Sequence, residues 1–137
     1  ARADALKGDC TVPGDKSISH RALMLSSQII GTVQIDGLLE GEDVLHTADA
    51  LRHLGVGIRR LHQGRWEVKG VGIGGLAESS AVLEMGNSAT STRLLMGLLA
   101  PYPYLSFFSG DASLSRRPMK RVSEPLSLMG AEITARE

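Results

Sequence analysis

A chain of 137 residues, 42% of them hydrophobic, has the size and apolar content of one folded domain with a real core. Fifteen basic against fifteen acidic side chains leave no net charge, so the long-range field that draws proteins onto nucleic acid or an anionic membrane is missing. Any anion bound should be small and held locally. The single cysteine, Cys10, cannot close an internal disulfide, and no paired Cys or His spacing suggests zinc, so a reducing, cytoplasmic compartment fits best. The longest apolar runs, such as residues 94–100, fall short of a membrane span, and the N-terminus lacks a signal-peptide layout. The chain does not open with methionine and stops inside "AEITARE", which reads as a strand; a piece of something longer is expected.

Periodicity and breakers place a strand over residues 6–12, then a helix over 17–30 with Ile18, Ala22, Leu25 and Ile29 on one apolar stripe and Gly31 as its stop. "TVQIDGLL" alternates like a strand. "EDVLHTADALRHL" is an amphipathic helix with acidic residues in its first turn and Gly55 at its end, and "VGIRRL" with "RWEVKG" forms a hairpin. After the glycine-rich "GVGIGG" the pattern restarts: a strand over 81–85, a helix over 87–100, a strand over 104–109, a helix over 117–129, then Gly130 and a final strand. The class is α/β, with a first βαβαββ unit over 14–80 and the start of a second over 81–137.

The restart is visible in the residues too. "GDKSISHRALM" (14–24) lies over "GNSATSTRLLM" (86–96) at an offset of 72, and "LRHLGVGI" over "LSLMGAEI" at an offset of 75. Duplication explains two blocks in the same order. The second copy keeps an arginine, Arg93, but has Ser88 where the first has Lys16, so only the first copy supplies an ammonium.

Three segments carry candidate chemistry. In "PGDKSISHRALML", a helix N-terminus offers unpaired N–H groups, Gly14 lets an anion approach the backbone, and Lys16 and Ser17 add a charge and a hydroxyl. Arg21 follows one turn later on the face of Ser17, where its planar fork suits a carboxylate or phosphate. On spacing alone, solvated surface charges and a simple cap are an equal reading. A nucleotide P-loop is excluded, because Asp15 separates Gly14 from Lys16 and Gly8 is one residue too far upstream. In "GNSATSTR", Asn87 is a candidate N-cap, with hydroxyls of Ser88, Thr90 and Ser91 in the first turn and Arg93 beyond. In "GDASLSRRPM", Pro118 opens a helix and puts Arg116 and Arg117 at its positive end, which favours an anionic ligand. His46 and His53 read as exposed helix residues, and Trp66 as packing.

Taken together and in this order, the three segments resemble the 5-enolpyruvylshikimate-3-phosphate synthase family, the enolpyruvyl transferases of the shikimate pathway. The resemblance runs from about Cys10 to Ala131. It implies the lobe of an inside-out α/β barrel, here incomplete: part of the N-terminal lobe of a longer enzyme that moves the enolpyruvyl group of phosphoenolpyruvate onto the 5-hydroxyl of shikimate 3-phosphate. It places Lys16 between the two substrates as the catalytic cation, Ser17 and Arg21 on shikimate 3-phosphate, Arg117 on phosphoenolpyruvate, and Asn87, Ala89 and Thr90 along that pocket. It implies no metal or organic cofactor.

Two departures from the family pattern matter. Many members have "GNAGT", with glycine where Ala89 stands, and the added methyl suggests the glyphosate-tolerant type. The C-terminal lobe, with its acidic proton-transfer groups, is absent, so this segment alone is expected to be inactive and to need the remainder of the enzyme. The competing expectations are a non-catalytic anion-binding fragment or paralogue, and the sister transferase acting on UDP-N-acetylglucosamine. Against the latter, Ser17 stands where that enzyme has asparagine, and Cys10 precedes the motif instead of serving as its acid.

Overall fold

The structure, a computed structural model, describes residue 5 and residues 7–135. Helix α1 (Lys16–Ser27) leads into strand β1 (Ile30–Asp36), helix α2 (Glu42–His53) and the hairpin of β2 (Gly57–His62) and β3 (Arg65–Val71). These strands form one antiparallel sheet in the order β1-β3-β2, with Ile35 opposite Trp66 and Ile58 opposite Val68. Trp66, Val68 and Ile58 are buried and belong to the core that also takes in Leu23 and Met24 of α1 and Val44, Ala48 and Leu51 of α2. The second half contributes β4 (Leu83–Glu84), α3 (Ala89–Leu99), β5 (Phe108–Ser109), a 3-10 turn (Leu114–Arg116) and α4 (Lys120–Leu128). β4 and β5 pair in parallel.

The α/β class, the hairpin, the order of the helices and Gly55 just past α2, at φ 88°, are as the sequence suggests. Several expectations are corrected. The first strand, over 6–12, starts at Leu6, outside the described residues; residues 7–12 carry no strand, since no described sheet edge gives them a partner. The final strand is likewise missing over 131–135, while residues 136 and 137 lie outside the described set. Strands expected over 81–85 and 104–109 shrink to two paired residues each. Helix α1 ends at Ser27, and Gly31 is inside β1.

The apolar stripe of α1 points the other way. Ile18 and Leu25 are 68% and 66% exposed, while Ser19, His20, Leu23, Met24, Ser26 and Ser27 are buried. Serine can take the inner face because its hydroxyl is satisfied close by: Ser19 Oγ donates to the Asp15 carbonyl and accepts from Leu39 N, and Ser27 Oγ donates to the Met24 carbonyl. Small side chains also let the helix lie tight on the sheet. A Cβ on Gly70 of β3 would overlap the carbonyl oxygens of Ser26 and Ile29.

Helix α4 starts three residues later than expected. Asp111 Oδ1 accepts from Leu114 N at 2.7 Å and anchors the 3-10 turn, and Pro118 forces Arg117 into extended backbone, ψ 132°, so no helix can begin there. Among the described residues none of α4 is buried.

Glu40 ties the loop after β1 to the hairpin. Its carboxylate accepts from Arg60 Nε and Nη2 at 2.8 and 2.7 Å, from Gly64 N at 2.8 Å and from Trp66 Nε1 at 2.9 Å. Trp66 is thus packed as expected, and its ring also carries the Arg52 guanidinium 5.6 Å from its centroid. The Arg60 hydrogen bonds, followed by that of Gly64, lower the Glu40 pKa from 4.5 to about 2. A carboxylate with a depressed folded-state pKa stabilises the fold fully above its unfolded value, and that stability goes as pH falls through the folded one. Glu40→Gln should therefore lower the unfolding free energy by about 2 kcal/mol at neutral pH, with the difference from the parent shrinking from about pH 4.5 downward. Urea titrations of both proteins at pH 7 and pH 3 check this.

Candidate functional site

Lys16 opens α1, with Asp15 as its N-cap: the Asp15 carboxylate accepts from Ile18 N at 2.8 Å. That carboxylate takes the backbone donor the sequence reading reserved for a bound anion. Gly14 has a different task too. A Cβ there would collide with the Gly37 carbonyl, so Gly14 lets the entry to α1 lie against the turn after β1. What remains for an anion at this corner is side chains. Lys16 Nζ, half exposed, lies 2.9 Å from Asp43 Oδ2. Arg21 is exposed and donates Nη1 to the Ser17 carbonyl at 3.0 Å, which holds the guanidinium along the same helix face. Ser17 is exposed beside it.

The second and third segments meet each other. Asn87 is not the cap of α3: Ser88 is, its Oγ accepting from Ser91 N at 3.3 Å. Asn87 instead bridges two groups, donating Nδ2 to Asp111 Oδ2 at 2.8 Å and accepting from Arg117 Nη2. The Leu114 N–H, then the Asn87 amide, hold the Asp111 carboxyl below its ordinary value, so it is an anion when it orients Asn87. Arg93 of α3 donates Nη2 to the Pro118 carbonyl at 2.9 Å and so holds the residue after Arg117. Arg116 ends the 3-10 turn, and Lys120 and Arg121 fill the first turn of α4, where no acid complements the positive end. Ala89 is buried at the start of α3, and Thr90 half-buried.

Between the two corners runs a buried polar seam that the sequence reading passed over. His20, fully buried in α1, has Nδ1 2.7 Å from Thr47 Oγ1 of α2 and 3.3 Å from Ser91 Oγ of α3. Thr47 Oγ1 and Ser91 Oγ are 2.6 Å apart, and Ser91 Oγ is 2.6 Å from Ser88 Oγ. The Asp43 carbonyl lies within reach of both Thr47 Oγ1, 3.1 Å, and Ser91 Oγ, 3.3 Å. A continuous path thus runs from Lys16 through Asp43, Ser91 and Ser88 to the neighbouring Asn87 and on to Arg117.

The fold therefore brings the three sequence segments together. It adds Asp43, His20, Thr47 and Asp111, none of which the sequence reading gave a role. Asp43 had one legible signal, an acid in the first turn of an amphipathic helix; that it would face Lys16 is a tertiary fact. His46 and His53 lie elsewhere, beside a shallow cavity of about 420 Å³ that Asp49, Arg52, Val82 and Glu84 also line. His53 is exposed as expected, but His46 is half-buried, with its Nε2 2.5 Å from where a Cβ on Gly86 would be. That contact and a φ of 52° account for the glycine of "GNSAT". Among the described residues no three His, Cys, Asp or Glu side chains gather as a metal site.

Lys16 at the start of α1 and Arg117 held by Asn87 just before α3 are the cations these segments bring to the site, and solved structures that share this α/β fold are enolpyruvyl transferases of the EPSP synthase class. EPSP synthase from Acinetobacter baumannii superposes with a TM-score of 0.91 at 48% identity, covering 95% of this chain and 29% of that one. The fold is the inside-out α/β fold of that group. The family described as EPSP synthase (3-phosphoshikimate 1-carboxyvinyltransferase) matches residues 1–137, and the chain belongs to it. It is 56% identical over 136 residues to the 3-phosphoshikimate 1-carboxyvinyltransferase of Paracoccus denitrificans, and 57% identical over 136 residues to that of Zymomonas mobilis. Each match covers 99% of this chain but only 31% and 30% of the relative, so the chain spans about three tenths of their length. No helix among the described residues is long and apolar enough to cross a membrane.

Because Gly14 sets how the first segment docks, Gly14→Ala should push α1 off the Gly37 turn and destabilise the fold by about 1–3 kcal/mol. Thermal unfolding followed by circular dichroism measures the loss, and an unchanged midpoint would contradict the packing role.

Proposed function

We propose that this chain carries the first part of the substrate site of a 3-phosphoshikimate 1-carboxyvinyltransferase, which transfers the enolpyruvyl group of phosphoenolpyruvate to the 5-hydroxyl of shikimate 3-phosphate and releases phosphate. The observation that carries the proposal is the path of contacts that links Lys16 of one segment to Arg117 of another, in a chain whose relatives bear that name. Two multiply charged anions must be brought together against their repulsion, and fixed cations offset it.

In this reading Ser17 and Arg21 hold shikimate 3-phosphate, Arg21 with the donors of its fork that Ser17's carbonyl does not take. Arg117, steadied by Asn87, meets phosphoenolpyruvate along with Thr90 and Ala89. Lys16 leaves or shares Asp43 and stabilises charge where the substrates meet. C3 of phosphoenolpyruvate gains a proton, the 5-hydroxyl adds at C2, and the tetrahedral intermediate expels phosphate. The proton-transfer groups belong to the part of the enzyme beyond this segment, so the segment binds but does not turn over. Within it, residues 14–80 and 81–137 act as one βαβαββ unit and the opening of a second. The compartment is cytoplasmic.

Ala89 carries a second proposal. Its methyl, almost wholly buried at the first position of α3, narrows the phosphoenolpyruvate pocket against a bulkier analogue such as glyphosate.

Isothermal titration of the chain with shikimate 3-phosphate should show binding that Arg21→Ala weakens by about ten- to a hundredfold, the worth of one hydrogen bond to a charged group. UDP-N-acetylglucosamine should not bind; if it does and shikimate 3-phosphate does not, the sister reaction is the right one. In the full-length enzyme, Ala89→Gly should lower the glyphosate concentration for half-inhibition while leaving the phosphoenolpyruvate KM nearly unchanged. An inhibition curve that does not move would remove the steric role.

A further inference from the structure

His20 is the titratable group at the junction of α1, α2 and α3, and its surroundings constrain its protons. Nδ1 faces the hydroxyls of Thr47 and Ser91, whereas Nε2 is buried with no hydrogen-bond partner. If Nε2 carried the proton, an N–H would be buried without an acceptor, and Thr47 would have to turn its own hydroxyl proton toward Nδ1. With the proton on Nδ1, His20 donates to Thr47 Oγ1, and the Thr47 and Ser91 protons remain for the Asp43 carbonyl and for each other. Only a bare lone pair is then left at Nε2, the smaller penalty. An imidazolium would restore the orphaned N–H and add a charge. From α1, Lys16 and Arg21 oppose that charge; from α2, Asp43 favours it; α3 faces it with the uncharged hydroxyls of Ser88 and Ser91. Burial dominates and pushes the His20 pKa below its ordinary 6.5.

We propose that His20 is a positioning residue for the anion corner: as the neutral Nδ1–H tautomer it directs the Thr47 and Ser91 hydroxyls onto the Asp43 main chain, fixing the carboxylate that aims Lys16. This rests on the reading that Lys16 and Arg21 meet the anionic substrate. Protonating His20 leaves Nδ1–H in place but adds at Nε2 an N–H with no acceptor and a buried charge that Lys16 and Arg21 oppose; relieving both must shift α1 against α2, so anion binding should fall at acid pH by more than the ligand's own phosphate titration explains. Asparagine keeps an N–H donor near the Nδ1 position without titrating; leucine keeps bulk and loses the donor.

The test has two arms on the full chain. ¹⁵N NMR of the imidazole should show the Nδ1–H tautomer at pH 7.5 and a midpoint below 6.5, with the Asp43 carbonyl and Lys16 ammonium signals following the same midpoint. In the second arm, shikimate 3-phosphate titrations from pH 7.5 to 5.5 should find His20→Leu weaker by about tenfold at pH 7.5, as for one lost hydrogen bond of about 1.4 kcal/mol, with the gap from the parent narrowing on acidification. His20→Asn should bind like the parent at pH 7.5 but lose less affinity on acidification. An Nε2–H tautomer, Asp43 and Lys16 signals indifferent to the His20 titration, or equal acid losses in parent and His20→Asn would overturn the proposal. If the parent binds no shikimate 3-phosphate, the function reading fails instead, and the NMR arm still decides the role of His20.

Discussion

Asp43 is bonded through its side chain and its main chain, and the two sets of bonds reach different helices. Its carboxylate pairs with Lys16 on α1, while its carbonyl lies against the hydroxyls of Thr47 on its own helix and Ser91 on α3. The ion pair is half exposed and contributes little stability, as such pairs generally do. Its use is directional. The carbonyl lies against a seam of buried polar side chains, where hydrogen bonds are strong and a missing partner is costly, so the main chain of α2 is held firmly there and the carboxylate inherits that placement. Through Ser91 and Ser88 the junction also reaches Asn87, the neighbour that meets Arg117.

Close backbone contacts make the junction possible. Gly14 against Gly37, Gly70 against the end of α1, and Gly86 against His46 each bring elements nearer than any side chain would allow. Serines on the inner face of α1 serve the same end, since they are small and satisfied by neighbouring main chain. Glu40 then fixes the loop between β1 and α2 to the hairpin, so α2 enters the junction from a defined direction.

The two halves show how one repeated pattern can diverge. α1 and α3 correspond at an offset of 72, yet Lys16 is an exposed cation on Asp43 and Ser88 a fully buried cap within the seam. The first half shows the three-stranded antiparallel sheet, the second the parallel pair β4 and β5 that a βαβ crossover makes. One half presents a charge where the other, at the corresponding position, places part of the buried support.

The α/β class, the hairpin, Gly55 past α2 and the three segments carrying Lys16, Arg21, Asn87 and Arg117 were legible in the sequence, because periodicity, turn chemistry and short spacings are local properties. The buried face of α1 was not: hydropathy points to Ile18 and Leu25, whereas burial followed the serines, which only their satisfied hydroxyls permit. The cap at Ser88, the delayed start of α4 and the true use of Gly14 also depended on neighbours distant in the chain. By itself the sequence determined which residue types stand at the helix starts and in what order. Tertiary structure alone decided that Asp43 would meet both Lys16 and Ser91, 27 and 48 residues away, and that His20 would be buried between them, because such contacts are set by how helices pack and not by any local pattern.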